Sequence, residues 1–349
     1  MSSLPSFNTE NEPQIARSVE KFFKDYKVME LLRRCGLRKS KGIPLWLILS
    51  YIFSNVFRNR SMYMQQKSGK CTAGFSKNTY YRFMQNPHIN WLRITILLAE
   101  RIVNGHLKDL TSDQRADCFV FDDSLYSRTE YKKTELAAKV FDYVSMTYKK
   151  GFRMMTMGWT DGSSFVPIAS SLLSVPVKVG DPAKDGAQID ARIVCVRNRS
   201  NRKDWIALIC TDMTIDENEI IRIYGKRWDI EVFFKTCKSF LKLGTEYHGL
   251  SYDALTAHTA FVFLRYMFMS VEKRDDEDDR TICELFYCMV DELADITFNH
   301  SLQILVEAMF ESAKEIFQPT EELMERFTNA FISRLPKYMQ EAISPSLAA

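Results

Sequence analysis

The order of apolar and polar positions divides the chain into stretches of different period. From about Pro13, Ile15, Val19, Phe22, Phe23 and Tyr26 recur at helical spacing. A second helix is predicted over Lys27–Cys35, ending at Gly36, where a left-handed cap suits glycine. Pro44 suits the first turn of a third, strongly apolar helix running to about Phe57. Phe75–Met84 reads as a short helix capped by Ser76 or Asn78, and Trp91–Val103 as a further helix. The period then changes. Asp117–Ser124 is an apolar strand ending in Asp122 and Asp123. Phe152–Thr160 and Phe165–Leu173 are two more strands, joined at Asp161-Gly162-Ser163, a hairpin signal with Asp161 as a turn residue. Ile193, Val194 and Val196 form one short strand and Trp205–Thr211 another. Helices follow over Asp216–Ile223, Tyr224–Lys238 and Tyr252–Ser270, and Cys283–Ile343 reads as two or three amphipathic helices broken near Pro319 and Pro336. The fold class expected is mixed α+β. A helical region (1–110) precedes an α/β core (111–270), and an acidic linker with further helices (271–349) ends the chain.

Composition narrows the class. The 349 residues leave room for two domains, and 46% hydrophobic with 26% charged residues describe a globular protein. Gly and Pro are too sparse for a largely disordered chain. No apolar run reads as membrane-spanning: the best, Ile43–Phe57, is short and interrupted by Ser50, Ser54 and Asn55. Met1-Ser-Ser-Leu-Pro lacks the basic and apolar regions of a secretory leader, so a cytoplasmic protein that avoids membranes is expected. Eight scattered cysteines without a Cys-x-x-Cys pair read as reduced core thiols, and five dispersed histidines form no zinc pattern.

Charge changes the picture more. Between Leu31 and Ala99 there are twelve Lys or Arg and no Asp or Glu, whereas from Val271 onward seventeen acids face seven bases. An acid-free basic stretch suits a polyanion, because every carboxylate there would repel phosphate. Within it, Lys77, Asn78 and Arg82 offer phosphate and base-edge donors on the short helix, which resembles a helix-turn-helix recognition segment. A solvated basic helix is the plainer alternative. Arg128, Lys132, Lys133, Lys139, Lys149 and Lys150 form a second basic arm, suited to lying along DNA. Asp275–Asp279 is a solvated acidic linker.

One stretch concentrates the chemistry. Read as a single helix, Tyr224–Lys238 places Tyr224, Arg227, Glu231 and Lys238 on one face, with Ile230, Val232, Phe233 and Phe234 as apolar anchors. A carboxylate in that company can hold a divalent metal while its neighbours hold phosphates. The same spacing also suits a simple ion pair between Arg227 and Glu231. The row Tyr, two residues, Arg, three residues, Glu, six residues, Lys resembles the signature around the third acidic residue of DDE insertion-sequence transposases of the "IS four" family. The Arg227-Trp228 pair matches as well.

That resemblance implies a ribonuclease-H-like core that cleaves and joins DNA strands with Mg²⁺ or Mn²⁺. It points to Asp122, followed by the hydroxyl of Ser124, as the first catalytic acid, with Asp123 as the alternative. Asp122 and Glu231 would ligate metal, and Tyr224, Arg227 and Lys238 would hold DNA phosphates. It also implies a homodimer working on transposon ends and target DNA in the nucleoid. One departure is plain. Only 31 residues, Ser174–Asp204, stand where a helix, a strand and the second catalytic Asp belong. Asp181, Asp185 and Asp190 lie there in a Gly/Pro/Lys-rich loop stretch. An internal deletion accounts for this, leaving Asp212 as a weak substitute that reads better as the lead-in to the next helix. A catalytically impaired remnant is the expectation. A non-enzymatic DNA-binding regulator and an unrelated metal nuclease are the alternatives.

Overall fold

The protein, a computed structural model, is described over residues 14–38, 41–58, 62–67, 71, 73–111, 117–128, 134–174, 190–197, 205–275, 280–336 and 340. Asp181, Asp185, Lys132, Lys133 and Asp276–Asp279 lie outside the described residues. Contacts divide the chain into one unit of residues 22–285 and another of residues 1–21 with 286–349. The chemistry expected from the sequence falls in the first.

Helices come first: α1 (Gln14–Asp25), α2 (Val28–Arg34), α3 (Leu45–Ser54), α4 (Met62–Lys67), α5 (Lys77–Met84) and α6 (Trp91–Ile102). The short α4 lies in a stretch whose polarity predicted no element. It forms because Met62 and Gln65 turn inward, and the Gln65 amide accepts the Tyr51 hydroxyl at 2.9 Å. α6 starts where the Asn90 side chain accepts the Arg93 N–H.

The main sheet is organised by one long strand. Its members are β1 (Cys118–Ser127), β2 (Ala138–Asp142), β3 (Thr147–Thr160) and β4 (Phe165–Leu173), all antiparallel to β3. β1 lies along one edge of β3, and β4 and β2 follow each other along the opposite edge, so that β1 and β2 flank β3 at Gly151. Gly151 has φ +150°, and a Cβ there would lie 2.0 Å from the Tyr126 carbonyl oxygen, so only glycine suits the junction. The hairpin at Asp161 forms as the sequence indicates: its Oδ1 accepts the N–H groups of Ser163 and Ser164. β1 does not end at the two aspartates. It runs five residues past Asp122, because Tyr126 is buried against Phe152 and carries the pairing onward. A separate antiparallel pair, β5 (Arg192–Arg197) and β6 (Trp205–Cys210), buries Val194 and Leu208 against Ile220 of α7 (Glu217–Gly225).

α8 (Trp228–Ser239) follows, then α9 (Tyr252–Asp275), the core helix of this unit. By length and composition Tyr252–Arg274 would suffice to cross a membrane, which corrects the expectation that no run does so. Its apolar window is 94% buried, because α3, α5, α6 and β4 surround it, and a helix enclosed on all sides reads apolar all round. In the other unit, α10 (Ile282–Phe317) and α11 (Glu321–Arg334) lie on either side of Pro319, and Val306, Phe310 and Met324 are buried together. Among the described residues helix outweighs strand, and the class is mixed α+β.

A buried polar knot fixes α9 to the N-terminal helices. The Arg265 guanidinium donates to the Phe53 carbonyl at 2.9 Å and to the Ile52 carbonyl, and pairs with Glu246 at 2.5 Å. Glu246 also accepts from the Asn55 amide at 2.7 Å. Burial works against the Glu246 charge, but Arg265 outweighs it and holds the carboxyl below its usual range. Replacing Arg265 by Ala strands that carboxylate, so Arg265→Ala is expected to cost about 3–5 kcal/mol in urea unfolding. A loss under about 1 kcal/mol would show that the pair carries little.

His258 sits in the same knot, pushed down to about 4 by burial despite the nearby Glu246; Arg265 and Arg128 also face it and disfavour its charge. The unfolded chain then binds a proton that the folded chain refuses. Stability is therefore full above about pH 6.5 and falls as pH drops toward 4. His258→Gln is expected to flatten that part of a stability–pH profile. An unchanged slope between those limits would refute it.

Candidate active site

β1 alternates, and its alternation decides which aspartate can meet α8. Asp122 and Ser124 share a face with Val120 and Tyr126, opposite Thr156 and Met154 on β3. Asp123 points the other way and pairs with Arg153. α8 packs over the first of these faces. Its buried residues, Ile230, Phe233, Phe234, Thr236 and Cys237, form its inner side, and Phe233 meets Phe165, Phe263 and Tyr266. Val232, expected as an anchor, is instead exposed, because it lies off that inner stripe.

The stretch Tyr224–Lys238 is not one helix. α7 ends at Gly225 and α8 begins at Trp228. Lys226 and Arg227 make tight turns between them, with Arg227 N–H bonded to the Tyr224 carbonyl. Two features meet at the break: Gly225 is a poor helix former, and the buried Lys226 ammonium reaches the distant Asp161 carbonyl at 3.2 Å. Tyr224 thus closes one helix while Arg227, Glu231 and Lys238 lie along the next. The row still converges, because the Tyr224 hydroxyl stays close enough across the break to help hold the Arg227 charge.

Arg227 is the centre of the site. One arm of its guanidinium meets Asp122 Oδ2 at 3.3 Å and the other meets Glu231 Oε1 at 2.8 Å. The side chains of Asp122 and Glu231 are 20% and 37% exposed, so both remain open to solvent from one side. Burial opposes the Arg227 charge, but the two carboxylates outweigh it and hold the guanidinium more firmly protonated than usual. Further along α8, the Lys238 ammonium donates to Ser124 Oγ at 2.5 Å. Burial lowers the pKa of Lys238, and Lys149 lowers it further, against Asp142 and Cys237. The strand pair Asp122/Ser124 and the helix pair Arg227/Lys238 therefore clasp each other, with Glu231 between.

Other expected residues lie elsewhere. Asp212 is exposed in the β6–α7 turn, where its Oδ1 accepts the Thr214 N–H at 2.9 Å and the Thr214 hydroxyl at 2.6 Å. These bonds hold its carboxyl below the usual range, and no contact joins it to Asp122 or Glu231. The α7 cap is Asp216, which accepts the Glu219 N–H at 2.8 Å. Asp190 is exposed before β5. On α5, Tyr80, Phe83 and Met84 are buried, while Lys77, Asn78 and Arg82 face solvent and make no contact with the Asp122 site. Asp229, which the sequence did not single out, is half buried with its pKa raised by burial. It accepts the Thr160 hydroxyl at 2.6 Å, at the far end of β3 from Gly151.

The donor set can be weighed against a divalent cation. Among the described residues no three of His, Cys, Asp or Glu gather as a metal-binding group. Asp122 and Glu231 supply two carboxylates to one point, which Arg227 fills with its own positive charge. Two carboxylates would suit one hard cation only with Arg227 displaced, and not the pair of ions that a third carboxylate would complete.

A model of the DDE superfamily endonucleases matches residues 51–213, a little under half of the chain. The matched span holds Asp122, Asp212 and the α5 donors, and stops before Tyr224, Arg227, Glu231 and Lys238. No curated protein matches the chain. The match shares β1 and Asp122 with the β1–α8 geometry but not α8, and it supports a DDE transposase-like nuclease.

Proposed function

We propose that the chain is a DNA-binding, transposase-type protein of the DDE kind whose metal-dependent strand cleavage and transfer are weak. The observation that carries this reading is the shared guanidinium: Asp122 from β1 and Glu231 from α8 both touch Arg227. Asp122 and Glu231 would hold a Mg²⁺ or Mn²⁺ ion, whose chemistry when bound is to activate an attacking hydroxyl and stabilise the leaving oxygen. Arg227 holds the two carboxylates turned toward each other. A DNA phosphate offers that guanidinium a better bidentate partner, and its transfer to the phosphate opens the acidic pair. Tyr224 aims the guanidinium, and Lys238, beside Ser124, neutralises a second phosphate. The absent third acid leaves negative charge on the scissile phosphate less well compensated, which is why cleavage is weak.

The chain reads as a shortened relative of the "IS four" transposases, with an internal deletion near Ser174–Asp204. Among the described residues no strand extends the main sheet beyond β1, which supports that reading. A homodimer acting in the nucleoid on duplex DNA follows from the same resemblance. A second reading, a regulator that binds DNA without cutting it, is favoured by Arg227 occupying the space between the carboxylates.

Arg227→Gln removes the internal cation, and calorimetric titration with Mn²⁺ is expected to show at least about tenfold tighter binding, reversed by adding Glu231→Gln. Equal affinity with and without Arg227 would remove the proposed competition. Duplex binding is expected to weaken steeply with salt, and Lys77→Gln with Arg82→Gln to lower the log–log salt slope by about two. An unchanged slope would take α5 out of the DNA contact. Mg²⁺-dependent nicking by the wild type, lost in Glu231→Gln, separates a weak nuclease from the regulator.

A further inference from the structure

The β2–β3 hairpin carries apolar side chains where a turn ordinarily carries polar ones. Its tip is Tyr143-Val144-Ser145-Met146, between Asp142 and Thr147, the last paired residues. Val144 is 94% and Met146 70% exposed, and Tyr143 and Tyr148 are also largely exposed. Turns favour Gly, Asn, Asp and Ser, and water penalises exposed apolar surface. Met146 adds a cost, since it holds φ +51°, a conformation that glycine adopts more cheaply.

The tip is nonetheless braced. Asp142 accepts the Val144 N–H at 3.2 Å and the Ser145 hydroxyl at 2.6 Å, and pairs with Lys149 at 2.7 Å. The Ser145 and Thr147 hydroxyls are 2.8 Å apart. On one side of the hairpin Phe141 packs edge-to-face against Tyr143 and Tyr148. Lys139 lies 4.7 Å over the Tyr148 ring and Arg153 lies 4.6 Å over Tyr143. Lys150 pairs with Lys139 across the ladder, so cations flank the aromatic row. The hairpin adjoins the candidate site, because Asp142 and Lys149, just below the tip, lie close enough to Lys238 for their charges to act on it.

We propose that this hairpin is a wedge for duplex DNA: Val144 and Met146 enter between base pairs beside the site, and Tyr143 or Tyr148 stacks the base set free. Apolar tips that part base steps, aromatic faces that receive any base and lysines that hold the backbone are the chemistry such a role requires. The charge complementarity favours DNA over another apolar partner, because Lys139, Lys149 and Lys150 are placed around the apolar tip. The inference rests on the DNA reading above and adds local strand opening to it.

The test uses the full chain and a duplex carrying 2-aminopurine, whose fluorescence rises when it unstacks. Val144→Ser with Met146→Gly suits the turn, and Gly relieves position 146, so the variant is expected to fold; circular dichroism checks this. The wild type is expected to raise the fluorescence on binding. The variant is expected to lose at least about tenfold of that rise while duplex affinity, set by the cations, changes less than about threefold. The same rise with the variant, or wild-type binding without any rise, overturns the wedge and leaves the DNA reading standing. A wild type that binds no duplex, or that binds anionic lipid vesicles through the tip instead, overturns both.

Discussion

A single guanidinium makes sense of the arrangement of β1 and α8. Arg227 lies between a carboxylate from the strand and one from the helix, and holds both. Without a cation there, two acids facing each other would repel and the helix would lack its polar tie to the strand. The contact also depends on a break in the helix. With Lys226 drawn to the Asp161 carbonyl, α8 starts afresh at Trp228 and presents Arg227 from its N-cap position. The hairpin turn between β3 and β4 thus helps set where the candidate catalytic row lies.

Behind the site, the sheet and helices are held by burial. α9 is enclosed on nearly every side, and its one buried Arg is tied to Glu246 and to the end of α3. Such a pair contributes little net stability, yet leaving either member alone is costly, so it fixes register more than it strengthens the fold. Phe233 carries the link from this core to the site, since its ring meets both α9 and β4.

Much of this was legible in the sequence, for identifiable reasons. Helical and strand periods located α5, α6, β4 and α9, because each buries a regular set of positions. Asp161 announced its turn through Gly162 and Ser163. The Asp122/Asp123 ambiguity was visible as a parity problem, and only the register against Thr156 resolves which side chain faces α8. Three features were hidden. β1 looked complete at the aspartates, because polar residues in mid-strand hide its continuation. β2 is short and lies among the scattered lysines of a stretch read as a basic arm, so it went unseen. The division of Tyr224–Lys238 was signalled only by Gly225, and the tertiary contact of Lys226 that accompanies it is encoded by no local pattern. Arg227 was legible as a partner of Glu231, but its reach to Asp122 spans more than a hundred residues of chain.

The central claim is that Asp122 and Glu231 face one shared cation position. Localised radical cleavage tests it directly: Fe²⁺ replaces the divalent ion, and ascorbate with peroxide cuts the chain wherever the backbone lies near the bound iron. The account predicts cuts near residues 122 and 231 together, both lost in Asp122→Asn and both lost in Glu231→Gln. Cutting near only one of them, or cuts that survive either substitution, would contradict it.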